Sequence, residues 1–233
     1  MKKAKVILIP TVLDEEGYAA LPTYVLPAIQ SCTVFFVEEE KTARRFFKKL
    51  WREMVIDDYT WQGIHKAEAT VKQPFLAALA AGETIGIVSE AGCPGVADPG
   101  QQLVAWAQAQ GVTVQPLVGP NSILLALMAS GLNGQQFQFL GYLPIDPTER
   151  RKKIKLVAAQ SAAQGTQIFI ETPYRNNALV KDLVEQGPPD LLLCIAVDLT
   201  GPAESIRTQS LKNWKKDLPD LHKRPCIFLL GNP

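Results

Sequence analysis

TIGIVSEAGCPGVADPG occupies Thr84 to Gly100. Thr84 to Ser89 is an apolar run of β type, and Ser89 to Gly100 is a loop that carries Gly92, Gly95 and Gly100 together with Pro94 and Pro99. Such a loop turns tightly and lets its main chain approach a ligand closely, which suits a cofactor held by backbone groups. The spelling is neither G-x-G-x-x-G nor a phosphate-cradling loop with lysine, so neither a dinucleotide site nor an ATPase is indicated. Asp98 reads as the N-cap and Pro99 as the first residue of the helix that follows, with the glycines making a turn.

Outward from this stretch, short apolar runs alternate with segments of helical period, the pattern of α/β layering around a largely parallel sheet. In the first half the strands are Val6 to Pro10, Thr33 to Val37, Thr84 to Ser89 and Val112 to Leu117. Helices are expected near Tyr24 to Ser31, Lys41 to Met54, Val71 to Ala81, Gly100 to Gln110 and Asn121 to Ser130. The second half offers strands at Phe137 to Leu143, Thr166 to Thr172, Leu191 to Val197 and Cys226 to Leu230, with helices at about Thr148 to Gln164 and Pro173 to Gln186. Leu191 to Val197 is apolar at every position, as a strand covered on both faces should be. Gly131 to Gln136, GLNGQQ, marks the domain boundary, giving residues 1–131 and 132–233.

Composition sets limits on what this framework does. Among 233 residues, 24 Lys and Arg stand against 23 Asp and Glu, so no whole-molecule field draws in a polyanion and any nucleic-acid contact must be a local patch. Behind Lys2, Lys3 and Lys5 the apolar run Val6 to Ile9 is too short for a signal-peptide core or a membrane span, so a cytoplasmic protein is expected. Cys32, Cys93, Cys194 and Cys226 are scattered, with only His65 and His222 beside them, and indicate neither a metal site nor a disulfide framework.

In an open α/β sheet, ligands bind beyond the carboxyl ends of the strands. There the sequence places Pro10-Thr11, Glu38-Glu39-Glu40, the Ser89 to Gly100 loop and Val118 to Ser122. Glu38, Glu39, Glu40 and Glu90 are candidate general bases; the first three serve equally as first-turn acids for the helix at Lys41. Asn121 or Ser122 caps the next helix, whose free N–H groups would suit an anion. Cys93 as a nucleophile lacks a partner base and reads better as a small loop residue. Lys41, Arg44, Arg45, Lys48 and Arg52 form a basic stripe opposite Phe46, Phe47, Leu50, Trp51 and Met54; it is a solvated face or a contact for a phosphate backbone. ERRKKIK, Glu149 to Lys155, is a second such cluster.

Taken in chain order, LIPT, VEEEKTAR, IVSEAGCPGVADPG, PLVGPNSILLALMASGL, FLGYLP with ERR, IFIETPYR and KRPCIFLL resemble the tetrapyrrole-methylase superfamily. Within it they are closest to the family that methylates small-subunit ribosomal RNA on a ribose 2′-hydroxyl. The resemblance implies two small α/β domains with mixed, largely parallel sheets, a homodimer, and S-adenosylmethionine folded in a cleft between the domains, with no metal. Pro10, Gly92, Cys93, Val96, Ser122, Ile123, Ile170, Glu171, Ala196 and Cys226 would then surround the cofactor, Glu39, Glu40 or Glu90 would be catalytic, and the basic stripe would meet RNA or the small ribosomal subunit. Val12 to Gly17 (VLDEEG) replaces the family's P-I-G-N, Glu90 stands for Asp, Cys93 for Thr, and the acidic segment is lengthened. Most of these departures fall where an acceptor would approach. A tetrapyrrole or other small acceptor, or a cofactor-binding protein without turnover, is the alternative reading.

Overall fold

A computed structural model describes residues 3–64 and 68–233; Lys2 and His65 lie outside them. The chain divides into two units, Met1–Pro120 and Asn121–Pro233. No helix among the described residues is long and apolar enough to cross a membrane.

The first unit alternates strand and helix: β1 (Lys5–Ile9), α1 (Val25–Ser31), β2 (Val34–Val37), α2 (Glu40–Leu50), β3 (Thr60–Gly63), α3 (Lys72–Ala80), β4 (Thr84–Val88), α4 (Gln101–Ala109) and β5 (Thr113–Pro116). Its five strands pair in the order β3-β2-β4-β1-β5, parallel throughout. Successive side chains of a strand face opposite ways, and here both faces are covered. Ile7, Ile9, Phe35 and Val37 pack with α1 and α2, whereas Val6, Phe36, Ile85 and Ile87 pack with α3 and α4. That is why these strands read as unbroken apolar runs.

The second unit holds α5 (Ser122–Ser130), β6 (Phe137–Tyr142), α6 (Pro147–Gln164), β7 (Thr166–Ile170), α7 (Asn176–Gln186), β8 (Leu192–Val197), β9 (Ser205–Ser210), a short α8 (Leu211–Trp214) and β10 (Cys226–Gly231). The sheet order is β6-β7-β10-β8-β9. Only β6 and β7 run parallel; β7 with β10, β10 with β8, and β8 with β9 are antiparallel. The apolar β8 is interior, as expected, but between antiparallel neighbours. Helices α6 and α7 supply one core with Phe169, Leu193, Ile195 and Phe228, and a buried ion pair joins them: Arg150 is 4% exposed and Asp182 2%. The division between units falls after Pro120 and not after Gly131, because α5 packs on β8, β9 and β10.

Candidate functional site

Cα partners Ile9–Val88, Val37–Val88 and Leu8–Pro116 align the carboxyl ends of β1, β2, β4 and β5 on one rim of the first sheet. From β1 the chain leaves toward the face covered by α1 and α2, and from the adjacent β4 toward the face covered by α3 and α4. Diverging connections on neighbouring strands open a crevice, the topological switch point at which α/β sheets bind ligands.

Three loops close on one another there. The Thr11 N–H donates to Gly92 O at 2.9 Å. Gly92 has φ +81, and a Cβ built on it would meet Leu13 at 3.2 Å and Pro120 O at 3.3 Å. Gly119 lies so close to Pro10 that an added Cβ would stand 2.1 Å from the proline Cβ. Gly119→Ala is therefore expected to lower stability by about 1–3 kcal/mol, the usual cost of overpacking; a melting temperature equal to wild type would show that the two turns separate freely. Cys93 Sγ lies 3.6 Å from Pro120 O and 3.9 Å from Gly119 O, so its thiol faces acceptors and is held as a proton donor.

Carboxylates gather on the same rim. The Glu90 N–H donates to Glu38 Oε2 at 3.4 Å. Partial desolvation, then the Glu38 charge, push the Glu90 carboxyl above its ordinary range, against the pull of a Thr42 hydrogen bond and of Arg45. Asp98 is pushed up to about 6, first by burial and then by Glu38 and Glu90. Carboxylates whose proton affinity is raised by burial and by like charge are a common preparation for proton transfer. Glu39 and Glu40 are otherwise engaged: Glu39 caps α2, accepting from the Lys41 N–H at 3.2 Å, and Glu40 pairs with Arg44 at 2.6 Å.

Asp98 does not cap the helix after it. The N-cap of α4 is Gly100, at φ 120, and Pro99 O is used inside the loop, accepting from the Gly95 N–H at 3.2 Å. The helix starts two residues later than its Asp-Pro pair suggests, and Asp98 is released into the acidic cluster. Asp-Pro-Gly, with a glycine able to serve as the half-in residue, was the signal for this.

A cavity of about 260 Å³ opens beside Glu90. Thr11, Ser89 and Glu90 line it from the strand ends, and Thr42, Arg45 and Lys49 from α2. The basic stripe is narrower than its sequence implies. Helix α2 ends at Leu50, leaving Arg52 beyond it; Arg44 is paired and lies 5.1 Å over the Trp61 ring, and Lys48 Nζ donates to the carbonyls of Met54 and Arg52. Lys41 remains exposed, and Arg45 forms an exposed pair with Glu15 at 3.0 Å.

In the second unit, register sets Ile170 beside Ile227, Ile227 beside Ala196 and Cys226 beside Val197, so Ile170, Ala196 and Cys226 share one end of the second sheet. Burial pushes the Cys226 thiol up to about 12. Next to them Glu171 Oε1 accepts from the Thr172 N–H and from Arg175, both at 2.6 Å, while Oε2 is buried with no partner. Ser122 and the buried Ile123 open α5, where Asn121 Oδ1, and not Ser122, caps by accepting from the Leu124 N–H at 3.1 Å. Val96 is exposed and Pro10 buried on the rim of the first unit.

Residues 20–214 match the sequence profile of the Tetrapyrrole (Corrin/Porphyrin) Methylases. A "Ribosomal RNA small subunit methyltransferase I" of Mesorhizobium japonicum is 36% identical over 137 residues, covering 59% of this chain and 46% of that protein. The protein of the same name from Halalkalibacterium halodurans is 37% identical over 155 residues, covering 65% and 52%. The chain spans about half the length of the curated relatives it matches. In fold it is similar to the methyltransferase CobJ, with a TM-score of 0.65 at 20% identity, over 100% of this chain and 95% of that one.

Proposed function

The chain belongs to the tetrapyrrole (corrin/porphyrin) methylases, and from that premise we propose that it is an S-adenosylmethionine-dependent methyltransferase whose acceptor is a ribose hydroxyl of small-subunit ribosomal RNA. The observation that carries this reading is the closure of the 10–13, 89–100 and 118–120 turns on a switch-point rim, with Glu90 beside a cavity that also bears Arg45 and Lys49. The names of the curated relatives favour RNA over a tetrapyrrole.

When bound, the cofactor supplies a methyl group activated by a positive sulfur. The orphaned Glu171 Oε2, a buried acceptor without a donor, is the kind of group that would hold it, and Gly92 belongs to the same proposed set. Pro10, Cys93, Val96, Ser122, Ile123, Ile170, Ala196 and Cys226 complete the proposed set. Orientation and exclusion of water are the chief contributions of these loops. Glu90 holds the proton that leaves the acceptor hydroxyl, with partial desolvation and then the Glu38 charge raising its affinity for that proton. Lys41 and Arg45 supply phosphate contact at the rim. The protein acts as a homodimer in the cytoplasm.

Two measurements test this. With S-adenosylmethionine at about one hundred times its dissociation constant, apparent stability should rise by roughly 2.7 kcal/mol; a flat melting temperature would count against the cofactor. Tritiated-methyl donor and undermethylated small ribosomal subunits should give label on one RNA nucleotide. Label on an added tetrapyrrole and none on RNA would redirect the acceptor.

A further inference from the structure

Thr11 is 3% exposed, and its Oγ1 is buried without a hydrogen-bond partner. A hydroxyl removed from water and left unpaired is costly, and in native structures such a group calls for an explanation. Its surroundings offer one. Thr11 and Glu90 line the cavity from the strand ends, and α2 adds Arg45 and Lys49 to its lining. Those cations are lightly held: Arg45 by the exposed pair with Glu15, Lys49 Nζ by the Glu15 carbonyl at 3.5 Å and by the Tyr18 ring, 5.3 Å away at its centroid. Asp14 and Glu15 also stand on the wall, so a dianion alone would be poorly received. A ligand that suits the whole wall carries hydroxyls at one end and a single phosphodiester charge at the other.

We propose that this cavity receives one sugar–phosphate unit of the acceptor RNA, with the Thr11 hydroxyl holding the reacting ribose hydroxyl against Glu90 and with Arg45 and Lys49 holding the neighbouring phosphate. The inference rests on the RNA methyltransferase reading above. The Thr11 O–H donates to the acceptor oxygen while that oxygen's own proton points to Glu90. In transfer the proton passes to the Glu90 carboxylate, an oxygen lone pair forms the bond to the methyl carbon, and the electron pair of the S–C bond returns to sulfur. A methyl ether and a neutral thioether result.

The test uses the full chain, tritiated-methyl donor and undermethylated small-subunit RNA. Thr11→Val, nearly isosteric and without the hydroxyl, should lower kcat about tenfold or more, the worth of one aligned hydrogen bond in the transition state. Cofactor affinity by calorimetry should hold, the melting temperature should hold or rise because the unpaired buried hydroxyl is gone, and Thr11→Ser should restore the rate. The double variant Arg45→Gln/Lys49→Gln, which lies on the surface and spares the fold, should raise KM for RNA and flatten its salt dependence, with kcat held at a pH high enough for Glu90 to be ionised in both proteins. Wild-type kcat in Thr11→Val, or wild-type KM and salt slope in the double variant, overturns the proposal while leaving the methyltransferase reading intact. A wild-type protein that labels no RNA removes that reading, and the subsite with it.

Discussion

Glu90→Gln is expected to reduce kcat for methyl transfer by about 10²–10⁴-fold, the range for loss of a positioned general base, with cofactor affinity unchanged. Glutamine keeps the shape of the side chain and its place beside the Glu38 carboxylate but cannot take a proton. The pH profile gives a second readout. The Glu90 carboxyl titrates above the ordinary carboxylate range, and its working form is the anion, so the rate should climb as pH rises through that raised value and level off above it. Asp98, titrating near 6, shares the field of the cluster, and the midpoint observed belongs to the coupled set. In Glu90→Gln the rising limb should vanish. A variant that retains both the rate and the limb would take Glu90 out of the chemistry and leave Asp98 as the better candidate.

The second large effect belongs to the fold. Asp182 accepts from Arg150 Nε at 2.8 Å and from Arg151 Nε at 2.8 Å, and Arg150 also donates to the Ile145 carbonyl at 3.2 Å. Burial pulls the Asp182 carboxyl upward, but the hydrogen bonds and charges of the two arginines outweigh it and hold the group below its usual value. Asp182→Ala leaves the buried Arg150 guanidinium without its carboxylate, and removing one partner of a buried pair costs about 3–5 kcal/mol. In thermal unfolding that is a drop of roughly 6–20 °C for a chain of this size. Replacing both partners, Arg150→Met with Asp182→Leu, should recover most of the loss. A drop of only a degree or two in the single variant would mean that water reaches Arg150. The sign with pH follows from the depressed value: the contribution of Asp182 is present above the ordinary aspartate range and is lost as pH falls through the folded-state value.

Much of this architecture was written in the chain. Val6, Phe36, Ile85 and their neighbours are apolar at consecutive positions because helices cover both faces, and that pattern survives in sequence. The edges do not announce themselves. Thr60–Gly63 is four residues of mixed polarity that pair only with β2, and Ser205–Ser210 is a polar ribbon at the far edge of the second sheet. Strand direction is also silent: Leu192–Val197 would read the same between parallel neighbours, since burial and not polarity of pairing sets its composition. At the site, the loops were legible from their glycines and prolines. Asp98 and Thr11 were not, because their roles follow from where a helix declines to begin and from a hydroxyl that finds no partner, neither of which has a spelling.

The rim is fastened by main chain and by shape, through the Thr11–Gly92 bond and the seating of Gly119 on Pro10. A scaffold secured in that way tolerates rewriting of the words it displays. The exposed Glu15 and Glu16 can be recoded without touching either fastening, so under the proposed function the acceptor side is free to drift, in evolution or at the bench, while the frame stays the same.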